Sequence, residues 1–210
     1  MNLDEQMTDS FKQFTDERRQ QISQYPSDSD FVNKSQAWLE ASMRNRYVYN
    51  YDWLGRPIIQ YPQDMVAMQE LVWSTRPDLI IETGIAHGGS LVLSASLLVM
   101  LDYCDAVQAG IAVDPRASKR KVLGLDIDIR SHNREAIESH PLAHKIDMIQ
   151  GSSTSAEVIA EVQRYARNYQ RVMVCLDSNH THEHVLTELR AYAPLTTLGD
   201  RKSTRLNSSH

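Results

Sequence analysis

Asp78-Leu79-Ile80-Ile81-Glu82-Thr83-Gly84-Ile85-Ala86-His87-Gly88-Gly89-Ser90 is the stretch on which the fold turns. Residues 78–85 form a short apolar run of the β type, and Gly88–Cys104 predicts a long apolar helix that opens on two glycines. The same change of period recurs downstream. KVLGLDID (121–128), IDMIQGS (146–152) and RVMVCLDS (171–178) read as strands, followed by helices over His132–Ser139, Ser155–Tyr169 and His182–Tyr192. Strand and helix in strict alternation imply right-handed βαβ units and a parallel sheet. Strands that are apolar nearly throughout imply helices on both faces. The fold class expected is therefore α/β.

Upstream, Asp4–Tyr25 and Phe31–Asn45 read as helices separated by a turn or cap at Ser27-Asp28-Ser29-Asp30. YVYNYDWLGRPIIQYPQDM, with Trp53, Gly55, Pro57 and Pro62, predicts irregular packing; Asp64 then caps a helix that runs to Ser74. Trp53 and Tyr61 are expected in core packing, with lining of the acceptor pocket, together with the N-terminal helices, as the alternative. Ala106–Lys119 is expected to be a loop. These readings divide the chain into an N-terminal helical segment (1–52), an α/β domain (53–199) and a tail (200–210).

The tail, DRKSTRLNSSH, breaks every preceding pattern and reads as the translation of a short-read sequencing adapter. On that reading natural sequence stops near Leu198 or Gly199, later strands of the sheet are missing, and the fourth strand is left as a partly uncovered edge.

Composition excludes several classes. The chain has 210 residues, 41% hydrophobic and 23% charged, with a net charge of -5. That is enough chain for one substantial core, and the mild acidity gives no footprint for nucleic acid. The first residues are too polar for a signal peptide, and no apolar run is expected to approach a membrane span of about 20 residues. A cytoplasmic setting follows as the expectation. Cys104 and Cys175 make neither a disulfide framework nor a zinc knuckle, and Cys175 reads as a small buried hydrophobe.

In parallel α/β sheets ligands bind beyond the carboxyl ends of the strands, where strand order reverses. The first strand ends in Glu82, Gly84, Gly88 and Ser90: glycines let the backbone turn tightly, and the helix start offers free N–H groups to a carboxylate. The pattern is not G-x-G-x-x-G, and no phosphate-binding lysine follows. Asp126 ends the second strand and can accept both hydroxyls of a ribose, with Asp128 as a capping or solvated acid. Ser153, after the third strand, can meet an adenine edge, and Ser155 can cap the next helix. After the fourth strand, Asp177 offers a hard oxygen suited to Mg²⁺. His180 lies in reach of the same crevice as a general base, since histidine titrates near neutrality.

Taken together, IIETGIAHGGSL, VLGLDIDIRSHNREAIESHPL, IQGSS and VCLDSNHTHEHVLTELRAYAPL closely resemble the cephalosporin hydroxylase / rhamnosyl O-methyltransferase family, and the similarity extends back through GRPIIQYPQDMVAMQELVW. The resemblance covers roughly Trp53–Leu195. It implies a Rossmann-like S-adenosylmethionine methyltransferase fold and methyl transfer to a hydroxyl of a small molecule or sugar, in antibiotic tailoring or lipid biosynthesis. It implies that Glu82, Gly84 and Ser90 hold the methionine part of the cofactor, Asp126 the ribose, Ser153 the adenine side and Asp177 a Mg²⁺ ion. His180 stands where catechol-type enzymes place a catalytic lysine. The family's other metal carboxylates belong to a fifth strand that this sequence lacks, so the chain as it stands is expected to hold metal poorly and to be inactive. Partners expected are a small-molecule or glycosyl acceptor, no nucleic acid and no membrane span, with a homo-oligomer left open.

Three other readings compete. An iron oxygenase needs two histidines and a carboxylate, and no H-x-D/E pair occurs here, which leaves an oxygenase-associated role in antibiotic tailoring as the alternative. A metal module could use His180, His182 and His184, but there is no H-E-x-x-H. A non-catalytic binding protein on the same fold is separated from an enzyme only by assay.

Overall fold

A computed structural model describes residues 9–197 and 205–206. The expected helix start over residues 4–8 and most of the tail therefore lie outside the described residues. The chain divides into two compact units, Met1–Tyr47 and Val48–His210.

The first unit contains helices α1 (Asp9–Gln24) and α2 (Ser29–Arg44), joined by a 3-10 turn over Tyr25–Ser27. Asp28 is the cap of α2: its carboxylate accepts the Phe31 N–H at 3.0 Å, satisfying one of the donors a helix start leaves open.

The second unit opens where irregular packing was expected, and the structure corrects that reading. Strands β1 (Tyr51–Trp53) and β2 (Arg56–Ile58) form an antiparallel hairpin. Its two-residue turn has positive φ at both Leu54 (47°) and Gly55 (84°), the twist that suits right-handed strands. Helix α3 (Pro62–Thr75) starts at Pro62 with Tyr61 as its cap, so Asp64 is not the cap but a first-turn acid. Proline at the first position costs the helix no hydrogen bond.

Strands β3 (Leu79–Thr83), β4 (Lys121–Asp126), β5 (Ile146–Gln150) and β6 (Val172–Leu176) form the parallel sheet, in the order β5-β4-β3-β6. Ile80 lies opposite both Val122 and Met173, and alternate residues feed two separate cores. On one face Ile80, Val122 and Met173 pack with Met68 and Val72 of α3 and with Leu91, Leu98 and Leu101 of α4 (Gly89–Ala109). On the other, Leu79, Ile81, Leu123 and Val174 pack with Val158 and Val162 of α6 (Ala156–Ala166) and Tyr192 of α7 (His182–Tyr192). Each fully buried aliphatic side chain contributes about 1.5–3 kcal/mol, which is why both faces must be covered. Helix α5 (Ser131–Glu138) follows β4. The edge of β6 is also not left open as expected. Thr197 exchanges hydrogen bonds with Val172, and β7 (Arg205–Leu206) pairs in parallel with Cys175 and Leu176.

Helix α4 outruns the sequence reading, because no breaker occurs before Gly110, which ends it in the left-handed region. At 21 residues and a mean hydropathy of 1.6 it is long and apolar enough to cross a membrane by length and composition, which overturns the expectation that no segment approaches that limit. In this structure its first half is core: Leu91, Val92, Ala95 and Leu98 are fully buried.

At the end of the sheet remote from the loops that follow the strands, charged residues form a second network. Lys145 is 1% exposed and donates to Asp102 at 2.6 Å. Arg120 reaches Asp102 at 2.5 Å and Asp105 at 2.7 Å, and Arg76 also pairs with Asp105.

Candidate active site

The order β5-β4-β3-β6 reverses direction at β3, which places the carboxyl ends of β4, β3 and β6 around one crevice. A cavity of about 510 Å³ occupies it. Gly84, Ser90, Asp126, Ser153, Asp177 and His180 all line this cavity; Glu82 and Gly88 do not.

The glycine loop is built by its neighbours. Gly84 has φ +90°, and a Cβ there would collide with the Asp177 carbonyl oxygen and stand 2.8 Å from its carbon. Its N–H donates to the Leu125 carbonyl at 2.7 Å, while the Asp177 N–H donates to the Thr83 carbonyl at 3.0 Å. Three strands are thereby laced together beneath the cavity floor. Gly88 is the left-handed cap of α4 and packs on Ile137. The first amides of α4 have no carbonyl four residues back, so this end carries partial positive charge toward the cavity.

Asp126 works on the protein itself as well as facing the cavity. One carboxylate oxygen accepts the Ile85 N–H at 2.8 Å and the Ala86 N–H at 3.3 Å, and the other accepts the Asp128 N–H at 3.0 Å. An ionised carboxylate has about four acceptor sites, so capacity remains for a ligand.

Glu82 sits behind the wall. Its carboxyl is 4% exposed and accepts the Ser90 hydroxyl, and a small second cavity of about 30 Å³ separates it from Gln60 and Asp177. Burial pushes its pKa up from 4.5 to about 8; the Ser90 hydroxyl opposes this, the Asp177 charge adds to it and the Ser94 hydroxyl opposes it again. Above 4.5 the unfolded chain releases a proton that the folded chain keeps, so stability falls as pH climbs toward 8. Glu82→Gln should remove that slope. In thermal melts of the ligand-free protein, the melting temperature of the variant relative to wild type is expected to rise steadily from about pH 5 to about pH 8; a constant difference would contradict the buried acid.

On the other side, α7 braces two loops with one acid that the sequence reading missed. Glu188 is 1% exposed and accepts the Ser153 hydroxyl at 2.5 Å and the Ser178 hydroxyl at 2.6 Å. His184 Nε2 lies 3.3 Å from the same carboxylate, and Tyr192 donates to the Ser153 carbonyl. Ser155 caps α6 by accepting the Val158 N–H. His180 Nε2 stands 3.8 Å from Asp177 Oδ1. Tyr49, Pro57, Ile59, Ile127 and His184 also line the cavity. Trp53 instead donates its indole N–H to Ser96, and neither it nor Tyr61 lines the cavity.

Among the described residues, no group of three or more His, Cys, Asp or Glu side chains could hold a metal ion. That removes the His180–His182–His184 module, since His184 faces Glu188 and the serines rather than its neighbours. It also leaves Asp177 without the further carboxylates that a near-octahedral Mg²⁺ site calls for.

A family model described as rhamnosyl O-methyltransferase/CmcI matches residues 45–202. The chain is 28% identical over 151 residues to the rhamnosyl O-methyltransferase of Mycobacterium leprae (strain TN), covering 70% of this chain and 56% of that protein. It is 27% identical over 142 residues to the protein of the same name from Mycobacterium bovis (strain BCG / Pasteur 1173P2), covering 65% and 49%. The chain thus spans about half the length of the curated relatives it matches. Similar solved structures include CmcI-N160 in its apo form (20% identity, 72% of this chain and 55% of that one, TM-score 0.47). Another is apo CalS11, a TDP-rhamnose 3'-O-methyltransferase of calicheamicin biosynthesis (17%, 80% and 74%, TM-score 0.49). The match to the family model runs through the hairpin, all four long strands and every residue placed in the cavity, and the chain belongs to the rhamnosyl O-methyltransferase/CmcI family.

Proposed function

We propose that this chain carries the cofactor-binding half of an S-adenosylmethionine-dependent O-methyltransferase whose acceptor is a sugar hydroxyl. The observation that carries the reading is the convergence of Gly84, Asp126, Ser153, Asp177 and His180, from four strand ends, on one cavity. The residues fit the cofactor. A volume of about 510 Å³ falls within the usual range for small-molecule sites. Polar side chains at or after the ends of four strands, Ser90, Asp126, Ser153 and Asp177, line it.

In this reading Asp126 holds the ribose, Ser153 faces the adenine side, and Ser90 with the α4 start meets the methionine carboxylate. Glu82, behind Ser90, fixes the orientation of that hydroxyl. Bound S-adenosylmethionine supplies an electrophilic methyl carbon on sulfonium. His180 would take the proton of the acceptor hydroxyl on the ring nitrogen that does not face Asp177, leaving the acceptor oxygen free to receive the methyl group. Asp177 orients the imidazole, and the cavity aligns donor and acceptor so that attack runs in line. No step is assigned to Mg²⁺, because the described donors do not make its site. The chain as it stands is expected to bind Mg²⁺ weakly and to give no turnover with a rhamnosyl acceptor. Saturable Mg²⁺ binding at one equivalent would contradict this. A cytoplasmic setting belongs to the same proposal.

Isothermal titration with S-adenosylmethionine tests the reading. Wild type is expected to bind one equivalent, and Asp126→Ala to weaken binding by about ten- to hundredfold, the worth of a charge-assisted hydrogen-bond pair. Equal affinity in the two proteins would remove Asp126 from the site.

A further inference from the structure

We propose that Arg56 and Asn133, neither of which lines the cavity, are positioning residues that brace the glycine loop in its cofactor-binding shape. The proposal rests on the reading of the cavity as an S-adenosylmethionine site. Two observations carry it: the strain in the loop and the hydrogen bonds that hold it. Ala86 sits at φ 46°, a left-handed conformation that non-glycine residues rarely adopt. Such a conformation persists only where surrounding structure fixes it. Arg56 supplies that structure from the hairpin: its Nε donates to the His87 carbonyl at 2.9 Å, and its Nη2 donates to the same carbonyl and to Asn133 Oδ1 at 3.3 Å. Asn133, from α5 and only 6% exposed, passes the restraint on by donating to the Ala86 carbonyl at 2.9 Å. The amides of Ile85 and Ala86 are held from the other side by Asp126.

The placement of Arg56 argues that geometry, not charge pairing, is its task. Among the described residues no carboxylate lies within ion-pair distance of it. Its guanidinium instead lies against the N-terminal end of α4, where the helix dipole disfavours a cation. A rigid planar fork of donors holds two acceptors in one fixed geometry, which the freely rotating donors of a lysine do not. The hairpin is brought close enough by Gly89, where a Cβ would collide with the Pro57 carbonyl oxygen and come within 2.7 Å of Ile58 Cα. A loop already in its bound shape need not be ordered when the cofactor arrives, and affinity rises accordingly.

The test measures S-adenosylhomocysteine affinity by calorimetry, and amide hydrogen exchange over residues 84–90 without ligand, on the full chain. Arg56→Ala and Asn133→Ala are each expected to weaken binding about tenfold while far-UV circular dichroism stays unchanged. The double variant is expected to fall well short of a hundredfold loss, because both act through one chain of bonds. Loop exchange should quicken roughly tenfold in each. Arg56→Lys, which keeps the stem and charge, serves if the alanine variant does not fold, and should give intermediate affinity. Asn133→Asp keeps the acceptor for Arg56 but loses the donor to Ala86, so it should bind as weakly as Asn133→Ala. Folded variants with wild-type affinity and wild-type exchange would overturn the brace. If wild type itself fails to bind, the proposed function falls, and the exchange measurement alone still decides the brace.

Discussion

Gly84→Ala is expected to abolish measurable S-adenosylmethionine binding and to lower stability by about 2–4 kcal/mol. Two penalties act together. The residue sits at φ +90°, and its new methyl would enter the backbone of Asp177, which is itself bonded to Thr83. Because Gly84 is also tied to Leu125, the clash cannot be relieved by moving the loop alone; β6 must shift away from β3 where Asp177 and His180 begin. Gly55→Ala provides the comparison. Its φ of +84° is similar, but nothing lies within 4 Å of the missing Cβ, so it should cost about 1 kcal/mol and leave binding intact. Chemical denaturation and calorimetry on both variants check this. Equal losses would show that strain alone, not the strand junction, governs the site.

The second large effect lies far from the cavity. Asp102→Ala removes the acceptor of Lys145, which is 1% exposed, and of Arg120. A buried charge left without its partner costs about 3–5 kcal/mol, on the order of 10 °C in melting temperature for a domain of this size. Lys145→Met combined with Asp102→Leu should recover most of that loss, since the penalty belongs to the stranded charge. Burial by itself would raise the Asp102 carboxyl, but hydrogen bonds from Lys145, Ser118 and Arg120, with the Lys145 charge, hold it below its ordinary 3.8. The pair's contribution is therefore complete above that value and disappears as pH falls through the lowered pKa. The advantage of wild type over Asp102→Asn should shrink accordingly in acid. An advantage unchanged at low pH would contradict the assignment.

The parallel sheet was legible because its strands are apolar throughout and each is followed by a helix of clear period. The strand-end residues were legible for the same reason: once β3, β4 and β6 are placed, Gly84, Asp126 and Asp177 must meet at the switch point. What escaped the sequence are contacts with no local signal. The hairpin strands have three residues each, and their turn uses Leu54 where asparagine or aspartate would announce it. Arg56 reaches a carbonyl 31 residues away, and Asn133 one that is 47 away. Glu188 looks like an ordinary helix carboxylate until Ser153 and Ser178 close on it from two different loops. Glu82 stands next to the end of its strand, but its buried side chain lies behind Ser90 instead of in the cavity.

The predicted losses of binding all assume that a sulfonium nucleoside lies across the ends of β4, β3 and β6. A crystal structure of this chain grown with S-adenosylhomocysteine examines that directly. The account predicts its ribose hydroxyls on Asp126, its amino-acid end at Ser90 and the start of α4, and its sulfur facing Asp177 and His180. Electron density for the nucleoside anywhere else, or a ligand-free crevice under saturating conditions, would contradict it.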